Sequence, residues 1–247
     1  MRVIIGTVVS FALIFLAQFM TAASHDSSSV KRILVLGDSL SAGFGLEPNQ
    51  AYPALLSEKL RETGLTNFEI TNASQSGGTT EGGLQRLPAH LKRNSDSRRE
   101  QRIDIFILEL GINDAFRGVP ISGIRNNLQA IIDMVKARYP NARIVIAGMQ
   151  LPNYTDDAYV SAFGQIYADL TAKNNAALIP YLLEGVAGDP LLNQPDHVHP
   201  NAAGQKILGD NVWRVLEPIA RARSGTGRGL NRGLLLGQAV KRAQTPD

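Results

Sequence analysis

Apolar positions along the chain follow two alternating rhythms. Short unbroken runs, such as Ile33-Leu34-Val35-Leu36 after Lys31-Arg32, suit strands buried on both faces of a parallel sheet. Longer stretches with apolar residues three and four apart suit helices with one buried side. Read in order, Lys31 to Leu36 is a first strand, and Pro53 to Thr63 is a helix carrying Leu55, Leu56 and Leu60, with Gly64 as its stop. Phe68 to Thr71 is a second strand. A helix capped by Thr79 or Thr80 then runs to Leu91, and Ile103 to Leu110 is a third strand, apolar apart from Asp104 and Glu109. Ile121 to Tyr139 is a long helix with the stripe Ile124, Leu128, Ile131, Ile132 and Val135, broken by Pro140-Asn141. Ala142 to Met149 is a fourth strand, Asp157 to Asn174 a helix, Ala177 to Leu183 a fifth strand, and Asn201 caps a last helix to Arg221. This alternation predicts an α/β fold, a three-layer α/β/α sandwich around a five-stranded parallel sheet.

The two ends change the picture. Arg2, the apolar run Val3 to Met20 and the small residues Thr21-Ala22-Ala23 follow the order of a secretory signal peptide. The rival is an uncleaved anchor, since that run is near the lower length limit for spanning a bilayer. We expect cleavage: residues 1–23 as signal peptide, 24–30 as linker, 31–221 as one catalytic-sized domain and 222–247 as a basic, disordered tail. That places the mature chain in the periplasm or outside the cell, without stable membrane insertion. The net charge of +3 belongs to the ends: the leader holds one basic residue and the tail a balance of +4, leaving the body at −2. A nucleic-acid partner needs a basic face on the fold. The nearest candidate, Lys92-Arg93 with Arg98, Arg99 and Arg102, is interleaved with Asp96 and Glu100 and reads as a solvated loop. The absence of cysteine removes thiolate nucleophiles and cysteine-bound metals.

Ligands of open α/β sheets bind beyond the carboxyl ends of the strands. Four loops there carry chemistry: Gly37-Asp38-Ser39, Ser76-Gly77-Gly78, Gly111-Ile112-Asn113-Asp114 and Asp196-His197-Val198-His199. Singly, each has a plain structural reading as a turn or a helix cap. Together they supply a hydroxyl nucleophile, backbone amides, a side-chain amide and an Asp/His pair, which are the parts acyl transfer needs. A dinucleotide fold is excluded, because the first loop reads Gly37-Asp38-Ser39-Leu40-Ser41-Ala42-Gly43 and not Gly-x-Gly-x-x-Gly.

These blocks resemble those of the SGNH, or GDSL, hydrolase superfamily, and within it the secreted bacterial esterases of the lysophospholipase/thioesterase-I and arylesterase type. The resemblance runs from Ile33 to Glu217 and includes Asn72-Ala73-Ser74-Gln75-Ser76-Gly77, Glu109-Leu110 and Leu182 to Val186. It implies a flavodoxin-like SGNH hydrolase fold, with Ser39 as nucleophile, His199 and Asp196 as the rest of a triad, and Ser39, Gly77 and Asn113 as oxyanion donors. Ile112 departs from a position often occupied by glycine. The implied activity is hydrolysis of short to medium acyl or aryl esters, extending to thioesters or lysophospholipids, through an acyl-enzyme and with no metal or cofactor. Two alternatives stand beside it: a carbohydrate acetylesterase, and a non-catalytic envelope-binding module with the same fold.

His197 competes with His199 for the role of base, but it adjoins Asp196, and neighbouring side chains in an extended loop point apart. Asp38 and Asp114 read as structural holders of the serine and asparagine loops. Arg117 is placed either to meet an anionic substrate or to remain solvated. Leu151, Pro152 and Tyr154 either line an acyl groove or pack their own loop.

Overall fold

A computed structural model describes residues 30–92, 102–152 and 157–224. Strands β1 (Lys31–Leu36), β2 (Phe68–Asn72), β3 (Ile103–Leu108), β4 (Arg143–Ala147) and β5 (Ala177–Ile179) form a parallel sheet in the order β2-β1-β3-β4-β5. Ile33 to Leu36, Ile105 to Leu108 and Ile144 to Ala147 are almost wholly shielded from solvent. That is why their sequences do not alternate: both faces of the central strands are covered.

The covering helices are α2 (Tyr52–Glu62) and α7 (Ala202–Ser224), packed together, and α3 (Thr80–Leu91), α5 (Ile121–Arg138) and α6 (Asp157–Asn174), packed in series. Right-handed crossovers put these two groups on opposite faces, because the chain steps from β1 to β2 in one direction and from β2 to β3 in the other. The α5 stripe expected from sequence is buried in full, from Ile124 to Val135. Thr79 caps α3, its hydroxyl accepting the Gly82 N–H, and Asn201 caps α7 through the N–H groups of Ala203 and Gly204.

Several boundaries differ from expectation. β5 ends at Ile179 and not Leu183, because Pro180 has no N–H to donate. The chain then turns back, with the Leu182 N–H on Gly148 O. β3 stops at Leu108 and not Leu110; Glu109 still donates its N–H to Leu36 O, but Gly111 at φ +126° swings the chain into a short helix, α4 (Ile112–Phe116). Another short helix, α1 (Ser39–Ala42), follows β1. Neither is long enough to show a helical period. The last helix passes Arg221 and reaches Ser224, so the first residues assigned to the tail are helical. The expected leader, linker residues 24–29, most of the basic loop (93–101), Tyr154 and the tail from residue 225 lie outside the described residues.

Gly204 ties α7 to the loop before it. A Cβ there would lie 2.2 Å from Leu192 O, a backbone atom that cannot move aside cheaply. Inside a helix Gly→Ala ordinarily stabilises by about 1 kcal/mol. Here the sign reverses: Gly204→Ala should lower stability by about 1–3 kcal/mol, seen as a lower midpoint in urea unfolding.

Candidate active site

β1 and β3 are neighbours, and their chains leave toward opposite sides of the sheet. The crevice this opens at the carboxyl edge is where α1, carrying Ser39, and α4, carrying Asn113, come together. Ser39 is the first residue of α1 and is mostly buried. Its hydroxyl lies 3.0 Å from His199 Nε2, and His199 Nδ1 lies 2.6 Å from Asp196 Oδ2.

The loop that brings in the histidine holds its own shape. Asp196 Oδ1 accepts the N–H groups of Val198 and His199, each at 3.0 Å, closing a tight turn. An antiparallel bridge between Asn193 and Pro200 closes the base, and Gln194 donates from Nε2 to Phe44 O at 2.6 Å, tying this loop to the serine segment. The backbone N–H of His199 leads the interactions that hold the Asp196 carboxyl down to about 2, followed by the imidazole and the Val198 N–H. Asp196 is therefore an acceptor only across the physiological range. Nδ1 must carry the proton, which leaves Nε2 free to accept from Ser39. The Phe44 ring lies against the imidazole, with centroids 4.5 Å apart. His197, at φ +58°, is exposed, and its backbone N–H bonds Gln194 O. The fold brings His199 to Ser39 and leaves His197 outside.

On the other side of Ser39 sit the expected oxyanion donors. The backbone N–H groups of Ser39 and Gly77 donate to nothing among the described residues. Asn113 Nδ2 is already engaged, 3.0 Å from Asp38 Oδ2 and 3.1 Å from Gly78 O. Its second partner is a neutral carbonyl, which a charged oxygen outcompetes. Asp114 holds the Asn113 helix to the start of α3 by accepting the Thr80 N–H at 2.8 Å and the Thr80 hydroxyl at 2.6 Å. Asp38 accepts the Leu40 N–H at 2.9 Å. Both aspartates thus bind loop backbone, as the sequence suggests. Arg117 is exposed and reaches Gly77 O at 3.2 Å, so it braces the glycine loop. Ile112 packs against the core in helical conformation, so its position does not demand glycine. Leu151 is buried in the core and Pro152 is exposed.

Sequence reasoning did not single out Phe44, Gln194, Arg86 or Glu109 as parts of the site. Glu109 alone left a readable signal, an acid at the end of a run otherwise built for full burial.

The sequence profile of the GDSL-like Lipase/Acylhydrolase family matches residues 35–207. Esterase TesA of Pseudomonas aeruginosa is 38% identical over 192 residues, spanning 78% of this chain and 90% of that one. Thioesterase 1/protease 1/lysophospholipase L1 of Escherichia coli K12 is 33% identical over 201 residues, 81% of this chain and 90% of that one. A crystal structure of TesA matches with a TM-score of 0.69 at 36% identity, over 76% of this chain and 99% of that one.

Burial raises the Asp38 carboxyl to about 6, against the pull of the Leu40 N–H and the Glu109, His199 and Asn113 side chains. Between about pH 4 and 6 the folded protein then holds a proton that the unfolded chain has released. Stability from this group falls as pH rises through that window. Denaturant unfolding at stepped pH should show this decline in the wild type and a flatter profile in Asp38→Asn.

Proposed function

The chain belongs to the GDSL-like lipase/acylhydrolase family and is a carboxylic ester hydrolase; on that premise we propose that Ser39, His199 and Asp196 form its catalytic triad. One observation carries the assignment: Asp196, His199 and Ser39 stand in an unbroken hydrogen-bonded line at the switch point of the sheet. In the proposed reaction Ser39 Oγ attacks the acyl carbon as its proton passes to His199 Nε2. Asp196 stabilises the imidazolium that forms. The oxyanion is met by the N–H groups of Ser39 and Gly77, and Asn113 releases Gly78 O to donate a third hydrogen bond. Each such donor is worth about 3–4 kcal/mol to the transition state. Collapse expels the alcohol, which takes its proton from His199. Water, activated by the same imidazole, then frees the acid and restores Ser39.

For substrate we propose short to medium acyl or aryl esters, with thioesters and lysophospholipids open to the same machinery. The surroundings support an apolar partner. Phe44, lying on the catalytic imidazole, Val198 beside it, and Phe116, on the helix that carries Asn113, are large apolar residues with 47%, 54% and 57% exposure. Side chains of this kind at a reaction centre gain by covering an acyl or aryl group. A chain-length series of p-nitrophenyl esters, with a thioester and a lysophospholipid alongside, measures the preference. Little activity beyond acetyl would favour a deacetylase.

Residues 1–23 are proposed as a cleaved signal peptide, 24–30 as a linker and 31–224, through the end of the last helix, as the hydrolase domain, with the enzyme acting in the periplasm or outside the cell. Among the described residues no helix is long and apolar enough to cross a membrane. Peptide mapping of the exported protein should find its N-terminus at Ser24; full-length chain in the membrane fraction would refute cleavage.

Ser39→Ala and His199→Ala should each lower kcat by at least about 10³-fold with the fold retained. His197→Ala should stay within about threefold of wild type. Near-normal ester hydrolysis by Ser39→Ala would sink the mechanism.

A further inference from the structure

Two carboxyls are buried together beneath the nucleophile. Asp38 and Glu109 are both at 0% exposure. Glu109 Oε2 accepts the Asp38 N–H at 3.0 Å and the Ser41 hydroxyl at 2.7 Å, and Ser41 Oγ is 2.7 Å from the Tyr52 hydroxyl. The approach is tight, since a Cβ on Gly37 would lie 2.5 Å from Oε2. The other oxygen, Oε1, is also buried, and no donor among the described residues reaches it.

Among the described residues no cation bonds to either carboxyl. Arg86 donates to the carbonyls of Gly37 and Ala73, at 2.7 and 3.4 Å, and its charge reaches the two acids only through space. Tyr167 donates to Leu110 O, Asp114 is committed to Thr80, and His199 faces Asp38 from the far side of the serine. Two anions here would repel each other in a poorly solvated site. A proton on Glu109 would resolve both difficulties: it removes one charge, and it turns the orphaned oxygen into a donor toward the Asp38 carboxyl, with which the Glu109 side chain interacts directly.

We propose that Glu109 is a positioning residue for the oxyanion hole, held as a neutral acid that donates from Oε1 to Asp38 while Oε2 anchors the backbone beneath Ser39. Asp38 then remains the carboxylate that orients Asn113, and a hydrogen-bonded rail runs from Tyr52 through Ser41, Glu109 and Asp38 to Asn113. The electrostatics agree in direction. Burial first, and Asp38 second, push the Glu109 carboxyl well above its usual range, while hydrogen bonds restrain the rise at Asp38.

This inference rests on the assignment of Ser39 and Asn113 above, so its test includes a readout that does not depend on activity. Glu109→Gln keeps a donor and an acceptor without a charge; Glu109→Leu keeps neither. Infrared difference spectra at pH 7 should show a carboxylic-acid C=O band in the wild-type protein that Glu109→Gln removes. In ester hydrolysis Glu109→Leu should lose about tenfold to a hundredfold in kcat with little change in KM. Glu109→Gln should restore most of that turnover. The absence of the acid band would overturn the proposal even if Glu109→Leu failed to fold, as would a Gln variant no better than the Leu variant. Full activity in Ser39→Ala would remove the mechanism and leave the infrared result standing.

Discussion

The hydrogen bond from Ser39 to His199 joins residues 160 positions apart, and most of the structure around it serves to keep its two ends in register. The serine end is fixed by the sheet, since β1 is an interior strand hydrogen-bonded to β2 on one side and β3 on the other. The histidine end sits on a loop and needs tethers. Gln194 supplies one, to Phe44 O. Gln205, buried in α7 just after the loop, supplies another: its amide donates to Leu40 O at 3.0 Å and accepts the Tyr52 N–H at 2.8 Å. A late helix is thereby pinned to the segment that carries Ser39. Small errors in this alignment are costly, because proton transfer requires the two heavy atoms to stay within hydrogen-bond reach.

The oxyanion side is organised by a different force. Two of its proposed donors, the N–H groups of Ser39 and Gly77, are left unspent in a folded protein, where almost every such group finds a partner. The first opens the short helix α1 and the second lies in the loop after β2, while α4 presents the Asn113 side chain. Buried carboxylates brace the turns from behind: Asp38 for the serine helix, Asp114 for the junction with α3. Charge that would be expensive elsewhere is tolerated because each carboxylate accepts hydrogen bonds from groups that need fixing. The site thus combines an exposed acid, Asp196, kept ionised by local N–H donors, with two deep acids, Asp38 and Glu109, whose carboxyls burial pushes upward.

Much of this was legible in the residues. Unbroken apolar runs reveal strands covered on both faces, and the α5 stripe reveals which side of that helix packs. The Ser39 and Asn113 loops were readable because each follows a strand end closely and carries a side chain with a chemical use; the Asp196–His199 loop, well beyond the end of β5, was readable from its Asp/His pair. Other features left weaker traces. The end of β5 depends on Pro180 and on the return of the chain to Gly148, a tertiary event. Helices of four and five residues cannot display a period. Gln194, Gln205 and Arg86 are ordinary polar residues until the fold sets them against distant carbonyls, so spacing alone could not select them. The choice between His199 and His197 was open in the residues as residues, and it is made by a turn that points one ring inward.

The central claim is that Ser39 is the nucleophile and that His199 activates it. An organophosphonate, which forms a stable covalent adduct with an activated serine, tests both parts at once when followed by peptide mass spectrometry. A single adduct on the peptide containing Ser39, formed much more slowly in His199→Ala, is the expected result. An adduct on another residue, no adduct at all, or equal rates in the two proteins would contradict the account.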